Sequence, residues 1–238
     1  MSIQIDVINA STVVPDHDVS KYVGALQRQV TEHWSPIWGS GAELHFVPKS
    51  QHPDDRNWWL VFLDTSDVAD ALGYHDLTSA GLPIGKVFAK SDLEIGSAVS
   101  VTASHELLEM LGDPDINLNA WVDHEQGGSF YAYEVCDPVE ADGLGYVIDG
   151  VLVCDFVFPS YFEFFRGPGL YDFGKHVRRP FEILPGGYQS VYRPGHGWTQ
   201  IVAHGQRLGY HQIPKRGSRS ERRRRARTSW IPSRAIGT

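Results

Sequence analysis

The segment Ser104-His105-Glu106-Leu107-Leu108-Glu109-Met110-Leu111-Gly112-Asp113-Pro114 sets three metal-binding or acid–base side chains inside an otherwise apolar run. In an α-helix, positions i and i+4 share a face, so His105 and Glu109 can converge on a single ion with Glu106 beside them. The bland alternative is an amphipathic helix whose His and Glu residues meet solvent in ordinary i,i+4 contact. Against it, Leu107, Leu108, Met110 and Leu111 already complete an apolar stripe, and the three polar residues gather at its border.

Working outward, the periodicity predicts a helix over residues 95–111 that ends at Gly112, because Pro114 cannot continue it and restricts the residue before. Upstream, residues 3–8 alternate as a strand, and residues 20–34 carry Tyr22, Val23, Leu26, Val30 and Trp34 at helical spacing, with Ser20 as N-cap. Residues 43–48 and 58–63 read as strands, the second apolar enough to be central. The stretch 64–80, with Gly73-Tyr74-His75-Asp76 at its middle, reads as irregular, and 82–89 as a short strand. Beyond Pro114 the chain turns rich in Gly, Asp, Tyr and Phe, with strand-like runs at 131–135, 146–148 and 151–156. A hairpin-bearing lobe over 186–203 displays Tyr188, Tyr192 and Trp198 as exposed aromatics.

The downstream cluster Tyr133-Glu134-Val135-Cys136-Asp137 can supply a third ligand. Taken together, the two blocks resemble Ser-His-Glu-x-x-Glu-x-x-Thr-Asp-Pro followed by Glu-Ile-Gly-Asp. That is the pattern of zincin-like metallopeptidases with an HExxE…ExxD signature and of the plant phosphate-induced, exordium-like proteins. The likeness covers about 35 residues of 238, with Gly112 in place of the threonine and Cys136 in place of the glycine. It implies a zincin fold and a metal site, without establishing peptidase activity.

Zinc prefers four N, O or S ligands in a tetrahedron, and a catalytic site leaves one position open. His105 and Glu109 would supply two ligands and Glu134 the third. Asp137 would then accept the free ring N–H of His105, although Glu134 and Asp137 could exchange roles. Asp115 is a rival ligand, at the offset that metzincin-like enzymes use after their glycine, whereas His124 reads as a surface histidine. Glu106 is the expected general base. His75 or Tyr74 could hydrogen-bond a developing oxyanion, and a structural use of His75 is equally open. Two carboxylate ligands leave water less acidified than two histidines would, and an oxygen-rich site also suits manganese or calcium.

A length of 238 residues, with 42% hydrophobic and 12% aromatic content, supports a substantial folded core. No apolar run reaches the roughly 18 residues that would span a bilayer. The start, Met1-Ser2-Ile3-Gln4-Ile5-Asp6, lacks a secretory pattern, so a cytoplasmic protein with no membrane partner is expected. Cys136 and Cys154 are too few for a disulfide framework and read as buried small residues, with one bridge open to them if the protein is released from the cell. No Walker or dinucleotide glycine loop and no Gly-x-Ser-x-Gly elbow occurs.

The net charge of −8 is unevenly spread: from Lys215 onward nine basic residues face one acid, giving +8 and leaving −16 on the body. Arg222, Arg223, Arg224 and Arg225 are dense enough to contact nucleic-acid phosphates nonspecifically, and a solubilising extension is the plainer reading.

These features predict an α+β protein: a zincin-like twisted mixed sheet with an active-site helix beneath its edge over residues 1–160, a mostly β, aromatic-rich lobe over 161–214, and a basic disordered tail over 215–238. The expected activity is a zinc-dependent metallopeptidase or related hydrolase acting on a peptide or protein. The competing expectation is a catalytically silent zincin-like binding or structural protein, viral or from a mobile element, with its tail on nucleic acid.

Overall fold

The computed structural model describes residues 2–66, 71–124, 127–205 and 207–213, and the predicted basic tail lies outside them. The fold is α+β. Five strands of the N-terminal half, β1 (Ile3–Asn9), β2 (Ala42–Val47), β3 (Trp58–Leu63), β4 (Gly73–Leu77) and β5 (Pro83–Phe88), form one sheet in the order β2-β1-β3-β5-β4. All pair in parallel except β4, which returns antiparallel on β5 and makes the edge. Strand β5 is buried at all six positions, as expected of a strand covered on both faces.

Helix α1 (Asp16–Arg28) continues into a π-helical stretch, Gln29–Trp34, and a short α2 (Ser35–Trp38). It begins ahead of the predicted Ser20 cap because extended Pro15 opens it, with Asp16 and Asp18 placing negative charge at its positive end. The helix expected over 95–111 is α4 (Val99–Gly112), starting four residues later, and a separate short helix, α3 (Ala89–Ile95), precedes it where none was expected. Gly96, at φ 79°, closes α3 in the left-handed region, and extended Ala98 starts α4 afresh.

The stretch read as irregular contains β4; its alternation is masked because His75 and Asp76 are polar yet buried. Also unforeseen are β6 (Asn119–Val122) and β12 (Arg207–Gln212). With β7 (Ser129–Ala132), β10 (Tyr188–Arg193) and β11 (Gly197–His204) they form a second, antiparallel sheet in the order β12-β11-β10-β7-β6. The lobe placed after residue 160 thus shares its sheet with strands that precede that point. Between them, β8 (Tyr146–Ile148) and β9 (Val151–Val153) make a hairpin. Its two-residue Asp149-Gly150 turn has both φ angles positive, at 48° and 74°, the geometry that two-residue hairpin loops favour.

One apolar core joins Ile5 and Leu60 of the first sheet, Leu107 of α4, and Phe156 and Tyr161 of the segment after β9. Helix α4 packs chiefly on β5, and about equally on β4 and on β9. A Cβ at Gly85 would stand 2.9 Å from Leu60 Cδ1 and 3.3 Å from Glu106 Cβ, so the missing side chain lets α4 lie close against the strand.

Candidate metal centre

Helix α4 is buried along its whole length from Val99 to Leu111, which disposes of the solvated-face alternative. His105 is 8% exposed, Glu106 4% and Glu109 3%. A buried carboxamide fixes the helix: Ser104 Oγ donates to Gln29 Oε1 (2.8 Å), Gln29 Nε2 donates to the Cys154 carbonyl (2.8 Å), and Cys154 N donates to Ser104 Oγ (3.0 Å). The residue before His105 is thereby tied to the π-helical stretch and to the segment after β9.

Around α4, two triads of potential ligands meet at Glu109. One is His105, Glu109 and Asp137; the other is His75, Glu109 and Glu134; within each triad the ligand atoms lie within 4.8 Å of one another. His105 Nε2 stands 3.2 Å from Glu109 Oε1 and 3.3 Å from Asp137 Oδ1. His75 Nε2 stands 3.0 Å from Glu134 Oε2 and 3.8 Å from Glu109 Oε2. The predicted ligand set is therefore divided: His105 stands with Asp137, Glu134 stands with His75, and Glu109 belongs to both. His75, expected beside an oxyanion, instead faces two carboxylates from the middle of β4. Glu134 follows β7, and Asp137 opens a 3-10 turn, Asp137–Val139.

The electrostatics follow from this crowding. Burial opposes charge on His105, but the carboxylates of Glu109 and of Asp137, at 3.2 and 3.3 Å, outweigh it and raise the imidazole well above its usual range. His75 is likewise raised, burial being overcome by Glu134. Burial, followed by the neighbouring Glu109, raises Asp137 well above a normal carboxyl. Glu106 is pushed up to about 8, chiefly by burial. Two buried carboxylate oxygens of this cluster, Glu106 Oε2 and Asp137 Oδ1, accept no hydrogen bond, and neither does Asp92 Oδ2 elsewhere; Asp137 Oδ1 has His105 within ion-pair distance but out of line. Such orphans are costly, and a cation would satisfy them.

Two cavities adjoin the cluster. The smaller, about 210 Å³, is lined by His75, His105, Glu106, Glu109, Glu134 and Asp137. The larger, about 710 Å³, runs past His105 and Glu106 to Glu140 and Tyr188. Tyr188, read from sequence as an exposed aromatic, is partly buried and lines both cavities. Burial, then the charge of Asp137, raises its phenol well above normal and keeps it a donor. Burial also lifts Glu140 to about 7. Neither residue carries a local sequence signal, because each reaches the cavity through tertiary packing. Gly73 makes room in turn: a Cβ there would stand 2.5 Å from Glu106 Oε1.

Other predicted residues are not brought in. Asp115 and His124 are exposed, and neither joins a ligand cluster among the described residues. Tyr74 lines the smaller cavity, with its hydroxyl accepting a bond from Lys86 Nζ at 2.7 Å. Arg222, Arg223, Arg224 and Arg225 lie outside the described residues. Cys136 and Cys154 are free and buried, within 4.8 Å of each other and of His105, and the Cys136 amide donates to Glu109 Oε1 at 3.3 Å.

A further cluster, Asp155, Asp172 and His176, was not legible in the sequence. Asp155 Oδ1 accepts from the amides of Phe156 (2.7 Å) and Gly174 (2.9 Å), and its Oδ2 faces His176 Nδ1 at 3.4 Å. Asp172 Oδ1 accepts from Val177 N and its Oδ2 from His176 N, both at 2.9 Å. Comparison of the chain with protein-family models, curated proteins and solved structures returned no match.

Proposed function

We propose that the protein is a zincin-type, metal-dependent hydrolase that cleaves peptide bonds. The observation that carries this reading is the buried meeting of two imidazoles with Glu109, Glu134 and Asp137 at a cavity where Glu106 presents an unpartnered oxygen. A cavity of about 710 Å³ opening beside Glu106 favours an enzyme over a silent binding protein, whose metal would be enclosed by protein ligands. The donor set fits a divalent ion, since imidazole and carboxylate suit zinc and also manganese. Glu109 would hold it, with His105 and Asp137 or with His75 and Glu134. When bound, such an ion supplies Lewis-acid polarisation and lowers the pKa of water.

The chain's own residues do the rest. Glu106 takes a proton from the attacking water and returns it to the leaving nitrogen. Burial holds it near 8, and a cation at Glu109 would favour the basic form. Tyr188, kept un-ionised, donates to the developing oxyanion; His75 is occupied by Glu134. Edge strand β4, ending its sheet beside Glu106, gives an extended peptide main-chain groups to pair with.

The test is hydrolysis of a peptide library by the zinc-loaded full chain and by its Glu106→Gln variant. Cleavage by the wild type that the variant loses while keeping its metal supports the reading. Absence of bound metal, or equal cleavage by both proteins, overturns it.

A further inference from the structure

The two triads share one residue and divide everything else. Glu109 turns Oε1 toward His105 and Oε2 toward His75, so each imidazole has its own oxygen of Glu109 and its own second carboxylate, Asp137 or Glu134. We propose that the site binds two divalent cations at once, bridged by Glu109, one held by His105 and Asp137 and the other by His75 and Glu134.

This rests on the hydrolase reading above and extends it from one ion to two. Two ligands each about 2.1 Å from an ion at a tetrahedral angle stand about 3.4 Å apart. The separations within the triads, 3.0 to 3.8 Å, bracket that value. A carboxylate that lends one oxygen to each ion suits the roughly 3.5–4 Å spacing of two-metal hydrolytic sites. Charge points the same way. Glu106, Glu109, Glu134 and Asp137 all line the smaller cavity, and four carboxylates balance two divalent cations when both imidazoles are neutral ligands. A single ion would leave two negative charges to be balanced by protons on the remaining imidazole and acids, whereas a second ion balances them directly. Asp137 Oδ1, on a residue only 2% exposed, has no hydrogen-bond partner and faces the His105 side of the cluster. An ion confined to the His75 triad would leave that oxygen orphaned. The cavity of about 210 Å³ has room for both ions and their waters.

The experiment is metal counting on the full chain, stripped by chelation and reloaded with Zn2+, with a parallel sample reloaded with Mn2+ for electron paramagnetic resonance. Two ions per chain and an exchange-coupled manganese spectrum are expected. His75→Ala and Asp137→Asn should each retain one ion with an uncoupled spectrum, and Glu109→Ala should retain neither tightly. Asp137→Asn is isosteric, which guards against a folding failure in His75→Ala. One ion per chain in the saturated wild type, or an uncoupled manganese signal from it, overturns the paired site while leaving a mononuclear hydrolase intact. No bound ion at all overturns both readings.

Discussion

The Glu109 site and the Asp155–Asp172–His176 cluster both gather acids and histidines, with His176 alone exposed, and their hydrogen bonds set them apart. In the Asp155–Asp172–His176 cluster every carboxylate oxygen faces a partner, most of them backbone amides of the loop 172–177. Around Glu109, by contrast, Glu106 Oε2 and Asp137 Oδ1 go without, beside open cavities. Composition alone would rank the two alike. The difference teaches that a satisfied cluster staples a loop, whereas one left incomplete where burial is deep is built to receive something.

The sharpest way to break this contrast is to neutralise one acid in each cluster. Glu106→Gln should lower kcat for peptide cleavage by about 10³-fold, within the range of general-base removal, with metal content and Tm nearly unchanged. Asp172→Ala should do the reverse. It strands the amides of His176 and Val177 and should cost about 3 kcal/mol of stability in denaturant titrations, without loss of bound metal. If Asp172→Ala instead empties the metal site, the division between the clusters fails.

The contrast can be sharpened by pH. Burial, with the adjoining Asp172, pushes the Asp155 carboxyl up to about 9. The folded state therefore binds a proton that the unfolded chain gives up near pH 4. Stability from this group is full in acid and declines as pH rises from about 4 to about 9, by at most about 1.4 kcal/mol per pH unit. Asp155→Asn, which imitates the protonated acid, should flatten the decline in Tm across that window. An unchanged slope would mean that Asp155 is already ionised in the fold.

The smallest effects belong to a matched pair of glycines. A Cβ at Gly73 would stand 2.5 Å from Glu106 Oε1, and one at Gly174 would stand 2.5 Å from Asp155 Oδ2. Gly73→Ala should reduce kcat about tenfold, an effect of about 1.4 kcal/mol on the barrier, by displacing Glu106. Gly174→Ala should lower stability by about 1 kcal/mol and leave turnover alone. Equal effects of both substitutions on turnover would blur the two regions into one network.

How much of this could be read in the sequence depends on how local each signal is. His105 and Glu109 are one helical turn apart, and Glu134 and Asp137 sit in a single short segment, so spacing alone nominated them. The α+β class followed from runs such as the alternating residues 3–8 and the wholly apolar 58–63, which pair in parallel in the first sheet. Strand β4 escaped because its inward side chains include His75 and Asp76, and polarity in a strand reads as a loop. Helix α3 escaped because seven residues make barely two turns, too few for a 3.6-residue periodicity to show. The division of the ligands between two triads was illegible for a different reason: which carboxylate faces which imidazole is decided by how β4, α4 and the 134–137 segment dock. Tyr188 arrives from a sheet whose strands are separated by more than fifty residues in the chain, a pairing no periodicity announces.

The Gln29 carboxamide carries a consequence for the order of assembly. Its partners, Ser104 and Cys154, lie 75 and 125 residues away along the chain. Contacts so distant must meet a large closure entropy and tend to form late. His105 therefore reaches its final register only after the N-terminal helical arm has docked. If the proposed cation binds there, a newly made chain would acquire it at the end of folding, and one that loses that arm would surrender it before the sheets come apart.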